Sequence, residues 1–210
     1  ATSIETLERE KERLEGELGP IKVGAGADGD NEVEDSERIA DLVQRPSCLF
    51  GDGDNLLLPN KIDETDELAM LKRLDGHLTD LNLEFSERVL YRFHTSLKTG
   101  FISPLTVLAG ISGTGKSQLP QRYAEAMGMH FLKVAVQPRW DSPQDLLGFY
   151  NYLEQSYKAT ELARALVRMD ENFELPHDQL HASDRVLLVL LDEMNLARVE
   201  YYFSEFLSRL

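Results

Sequence analysis

The strongest constraint on the fold is an eight-residue stretch, Gly110-Ile-Ser-Gly-Thr-Gly-Lys-Ser117, set between an apolar run and an amphipathic pattern. The run before it, PLTVLAG (104–110), predicts a short buried strand, and Lys116 to Met127 predicts a helix. The stretch satisfies G-x-x-x-x-G-K-[ST], and strand, loop and helix in that order is the setting this phosphate-binding motif requires. At average residue frequencies, a chance match in 210 residues is on the order of 1%. The glycines let the backbone curl so that successive N–H groups face one anion. The helix that follows turns its positive N-terminal end toward the same point. The expected nucleotide-binding residues are Gly110, Ser112, Gly113, Thr114, Gly115, Lys116, Ser117 and Gln118. Lys116 is expected to reach the β- and γ-phosphates and act in catalysis, and the Ser117 hydroxyl to ligate Mg²⁺. The implied cofactors are ATP or GTP with Mg²⁺.

A second element supports this reading. Val186 to Leu191 is the longest apolar run, and it leads straight into Asp192-Glu193. A buried parallel strand ending in two carboxylates delivers them where open α/β sheets bind ligands. Asp192 is expected to hold Mg²⁺, mostly through water, and Glu193 to polarise the attacking water as the second catalytic residue.

The rest of the chain reads as alternating elements. SIETLEREKERLEGEL (3–18) predicts a helix stopped by Gly19-Pro20, with Ile4, Leu7, Leu14 and Leu18 at heptad spacing. The Gly- and Asp-rich segment 23–35 predicts a linker. Helical patterns follow around 36–45 and 64–78. They are separated by a turn-rich segment whose Asp52-Gly-Asp54 lacks the remaining calcium-loop ligands. Residues 86–100 predict an amphipathic helix with Ser86 as cap and His94 at its apolar boundary. Strands are expected at 130–136 and 185–193. Helices are expected near 159–169 and across 196–210, and a Tyr-rich segment, Gly148 to Tyr157, precedes the former. Strands alternating with helices imply an α/β domain with a parallel sheet. The division expected is an acidic, mostly helical region, 1–83, followed by a nucleotide-binding region, 84–210.

Charge and composition narrow the partners. The formal charge is −15, of which residues 1–80 carry −12. No stripe of Lys and Arg is present to grip a phosphate backbone, so direct nucleic-acid binding by this chain is not expected. No apolar stretch reaches the ~18–20 residues that span a bilayer, so no membrane partner is expected. The single cysteine, Cys48, rules out an internal disulfide framework and fits a reducing cytoplasm.

With both motifs placed, the chain from about residue 84 resembles an AAA+ ATPase domain, and most closely its McrB-related branch of modified-cytosine restriction motors. The resemblance rests on GISGTGKS (110–117), VQPRWDSPQDLLGFYN (136–151) and LLDEMNLARVEYYFSEFLSRL (190–210), and covers about 60% of the chain. It implies a P-loop NTPase sheet with flanking helices and a ring or hexamer of identical subunits that hydrolyses ATP or GTP. It also implies a nuclease or effector partner that works on DNA. Asn195 and Arg198 would then lie near the subunit boundary, and Trp140 and Asp141 in a segment that often faces the ring's pore; for Trp140 plain packing is an equal alternative. The family's sheet order is 5-1-4-3-2, and this sequence supplies counterparts of strands 1, 2 and 3 only. The fourth strand, the arginine finger and the helical lid have no counterpart here. The resemblance thus implies a fold continued in a longer chain or completed by a second polypeptide, with weak activity for these residues alone. Two other functions fit the same motifs: a protein-remodelling ATPase of the MoxR or dynein-related kind, and a nucleotide-gated assembly module with little turnover.

Overall fold

The computed structural model describes residues 37–50, 56–57, 66–175 and 180–208. The helix expected at 3–18, the linker at 23–35 and the Asp52–Asp54 turn lie outside the described residues. Asp66 accepts a hydrogen bond from the Leu68 N–H (3.1 Å) and caps α1 (Glu67–Asp80). Ser86 precedes α2 (Glu87–Lys98). Leu71, Leu74 and Leu78 form the buried stripe of α1, and Leu90, Phe93 and His94 that of α2. Helix α3 (Gln118–Met127) ends at Gly128, whose φ of 65° is the left-handed stop that glycine adopts without a Cβ clash.

The remaining elements are β1 (His130–Ala135), α4 (Pro143–Leu147), β2 (Gly148–Asn151), β3 (Ser156–Ala159), α5 (Glu161–Met169) and β4 (Leu187–Asp192). A 3-10 turn (Met194–Leu196) and two short helices, α6 (Val199–Tyr202) and α7 (Ser204–Leu207), follow. Strands β1 and β4 pair in parallel, with His130 opposite Leu187 and Ala135 opposite Asp192. Parallel neighbours need a long crossover, and α4, the antiparallel hairpin β2–β3 and α5 supply it. The chain is therefore mixed α/β, with a small parallel sheet and flanking helices.

Strand alternation assigns the two faces of this sheet. Leu132, Val134, Leu187, Val189 and Leu191 pack into one cluster with Leu146, Leu162, Ala165, Tyr202 and Phe203. Leu188 turns the other way, to the cluster built from Leu74, Leu90, Phe93, Leu119 and Tyr123 of α1, α2 and α3. By the same period of two, Lys133 and Asp192 fall on the α3 side.

Three expectations fail. Residues 104–110 do not form a strand: they pair with no other described segment, and Val107 is 76% exposed. A strand needs a neighbour to bond its peptide groups, and among the described residues no segment pairs with this one. The 196–210 helix is broken, because Ala197 is extended (φ −128°) and the backbone turns at Phe203 (φ −108°). That turn lets the adjacent Tyr202 and Phe203 both bury in the first cluster. Residues 39–43, within the expected 36–45 helix, are turns. No described helix is long and apolar enough to cross a membrane.

Candidate functional site

The glycine-rich loop 110–117 leads into α3, as the sequence reading expects, but the segment before it is not a strand. Gly113 (φ 81°) and Gly115 (φ 79°) hold left-handed conformations that strain any other residue. Gly115 has a second constraint, since a Cβ there would stand 2.7 Å from Cζ of Phe85. Its carbonyl accepts from the Gln118 and Leu119 N–H groups (3.0 and 2.9 Å), which starts the helix. Ile111 O accepts from the Thr114 hydroxyl (3.0 Å) and from Lys116 Nζ (2.5 Å), so the lysine folds over its own loop. Gly110, Ser112, Gly113, Thr114 and Gln118 are exposed; Lys116 and Ser117 are half-buried.

The acidic pair meets this loop. The Ser117 hydroxyl donates to Asp192 Oδ1 at 2.8 Å, across 75 residues of sequence. The other carboxylate oxygen, Oδ2, accepts from Lys133 Nζ of β1 at 2.7 Å. Lys133 above all holds the Asp192 carboxyl below the usual aspartate range; burial opposes it, and the Ser117 hydroxyl adds a smaller lowering. Glu193 is exposed and takes φ 57°, rare outside glycine, so the chain turns sharply as it leaves the sheet. The two adjacent carboxylates consequently point to different places: Asp192 to the loop, Glu193 to solvent.

The Ser117 and Asp192 oxygens fit Mg²⁺. Both are hard oxygen donors of the kind Mg²⁺ takes, and they stand 2.8 Å apart, so an ion on Ser117 would reach Asp192 through its hydration water. Among the described residues, no group of three or more His, Cys, Asp or Glu could hold a metal. Any further ligands would thus have to come from outside these side chains.

The other singled-out residues fall into two groups. Trp140, Asp141, Asn195 and Arg198 line one open cleft of about 520 Å³ with Arg139 and Tyr201. Trp140 also packs edge-on against Tyr202 (5.3 Å), so packing and cleft lining are both served by one ring. His94 is buried, with Nδ1 2.7 Å from the Tyr123 hydroxyl and Nε2 3.0 Å from Glu67 Oε1. It ties α1, α2 and α3 together behind the loop. Cys48 is free, and burial, aided by Glu161, pushes its thiol up to about 12.

Sequence reasoning missed Lys133 and Phe85. Lys133 carried a signal, as the one charge inside the apolar strand HFLKVAV. Phe85 carried none, because its contact with Gly115 depends on how α2 and α3 are packed.

No protein-family model, curated protein or solved structure matches the chain significantly.

Proposed function

We propose that the chain binds a nucleoside triphosphate, ATP or GTP, with Mg²⁺ and hydrolyses it as part of an AAA+ motor of the McrB-like kind. One observation carries this reading: Ser117 and Asp192, remote in sequence, meet at 2.8 Å beside the glycine-rich loop and at the C-terminal end of a parallel sheet. The adjacency of β1 and β4 agrees with strands 2 and 3 of the 5-1-4-3-2 order. The unpaired segment 104–110 agrees with a first strand whose neighbours in that order are not among the described residues.

In this reading the loop N–H groups and Lys116 hold the phosphates, with Lys116 exchanging the Ile111 carbonyl for a phosphate oxygen. Ser117 and Asp192 would hold Mg²⁺, which neutralises charge on the β- and γ-phosphate oxygens. Glu193, turned outward after the strand, would orient a water for in-line attack on the γ-phosphorus and take its proton, while the γ-phosphorus–oxygen bond to the β-phosphate breaks and the nucleoside diphosphate leaves. Asn195 and Arg198, on the open cleft, lie at a boundary with the next subunit of a ring. The work is transmitted to a nuclease or other effector that acts on DNA. A cytoplasmic setting suits a chain with one unpaired cysteine.

The test is a titration of the intact protein with ATP and with GTP, read together with oligomeric state and phosphate release. Lys116→Ala is expected to abolish binding. Glu193→Gln is expected to keep binding and lose at least about 100-fold in hydrolysis, the lower end of the ~10²–10⁴ range for general acid–base groups. Wild-type hydrolysis surviving Lys116→Ala defeats the proposal. A second reading, the nucleotide-gated module with little turnover, is favoured by the unpaired 104–110 segment, since a loop without a strand behind it is poorly held for chemistry. Tight binding without phosphate release selects it.

A further inference from the structure

We infer that Lys133 competes with Mg²⁺ for Asp192 and thereby sets the Mg²⁺ concentration at which the loop takes up nucleotide. The inference rests on the nucleotide-binding reading above and adds a regulator to that site.

Four observations carry it. Lys133 and Asp192 lie on the same face of adjacent parallel strands, on the side of α3. The ammonium stands 2.7 Å from Asp192 Oδ2, a charge-assisted contact of full strength in geometry. The two oxygens of that carboxylate are divided, Oδ1 to Ser117 and Oδ2 to Lys133, so a cation arriving beside Ser117 meets an acid that is already neutralised. Finally, the Lys133 side chain is 49% exposed against 19% for Asp192. The lysine can therefore swing into water, and an ion pair that exposed is weak enough to be displaced.

The physical consequence has a sign. Mg²⁺ gives up hydration water reluctantly, and an adjacent ammonium repels it while satisfying its ligand. Removing the ammonium strengthens the Mg²⁺-dependent part of nucleotide binding. An exposed pair alters an equilibrium by only a few-fold, so the expected change is about fivefold.

The experiment titrates MgCl₂ into the intact protein with fluorescent ATP and GTP analogues, starting from excess EDTA. The readout is the ratio of nucleotide affinity with and without Mg²⁺ and the Mg²⁺ concentration at half effect. Lys133→Met is expected to lower that concentration about fivefold, and Lys133→Arg, which keeps the charge, to retain the wild-type value. Lys133→Gln is a second neutral variant, should the methionine protein aggregate. A neutral variant that leaves the midpoint within twofold of wild type overturns the inference while leaving nucleotide binding intact. So does an arginine variant that shifts as the methionine does. A wild-type protein that binds no triphosphate at any Mg²⁺ concentration overturns the nucleotide reading itself, and this inference with it.

Discussion

Single atoms decide whether the loop can exist. At Gly115 two penalties coincide: a φ of 79° and a Phe85 ring that a Cβ would approach to 2.7 Å. Gly115→Ala is expected to destabilise the fold by roughly 1–3 kcal/mol from backbone strain, measured by urea denaturation, and to abolish triphosphate binding. Adding Phe85→Ala removes the clash and leaves the strain, so it restores only part of the loss. Burial also sets a pH limit. Burial raises the Tyr123 hydroxyl from 10 to about 12, with a smaller push from Glu67, and burial followed by Glu161 raises the Cys48 thiol from 9 to about 12. Both groups keep their protons longer in the folded state than in the unfolded one. Their stabilising effect is complete below about pH 9 and is lost as pH rises toward 12. Thermal midpoints from pH 8 to 11.5 should fall along that interval, and Tyr123→Phe or Cys48→Ala should flatten the fall.

At the level of elements, the informative case is the one that failed to form. PLTVLAG has the composition of a buried strand, yet it lies unpaired while HFLKVA and LLVLLD pair along six residues each. Local pattern states what a segment is suited for; only a neighbour with free peptide groups turns it into a strand. Amides of residues 105–109 should exchange with solvent at least 100-fold faster than those of 131–135 and 188–191 in hydrogen-exchange mass spectrometry. Equal protection would show that the segment is paired in solution. The hairpin β2–β3 is the opposite case. Its Tyr-rich sequence, read only as a segment leading to a helix, closes through Asn151, whose Oδ1 accepts from the Leu153 N–H at 3.0 Å, and through Gln155 at φ 50°. Neither residue is the glycine that announces such a turn.

Across the whole described fold, the two apolar clusters sit on opposite faces of one two-stranded sheet, within a single compact unit, Arg38–Leu210. Damage to either face should therefore be felt in one transition. Leu74→Ala and Leu132→Ala, in different clusters and both buried, are each expected to cost about 2–5 kcal/mol. Their effects should add within about 0.5 kcal/mol, since the sites share no cluster. Chemical denaturation of the single and double variants checks this, and two separated transitions would show that the faces unfold independently.

Much of the candidate site was legible in the residue order. The spacing of Gly110, Gly115, Lys116 and Ser117 marks the loop, and six apolar residues before Asp192-Glu193 mark the strand that delivers the acids. Those signals are local, because a loop's glycines and a strand's alternation are set by neighbours in the chain. What the tertiary structure alone decided is which groups meet. Parallel pairing of β1 with β4 brings Lys133 to Asp192, and helix packing brings Phe85 to Gly115. The absence of a described neighbour leaves 104–110 out of the sheet. Contacts across tens of residues depend on where whole elements come to rest, and no window of sequence contains that information.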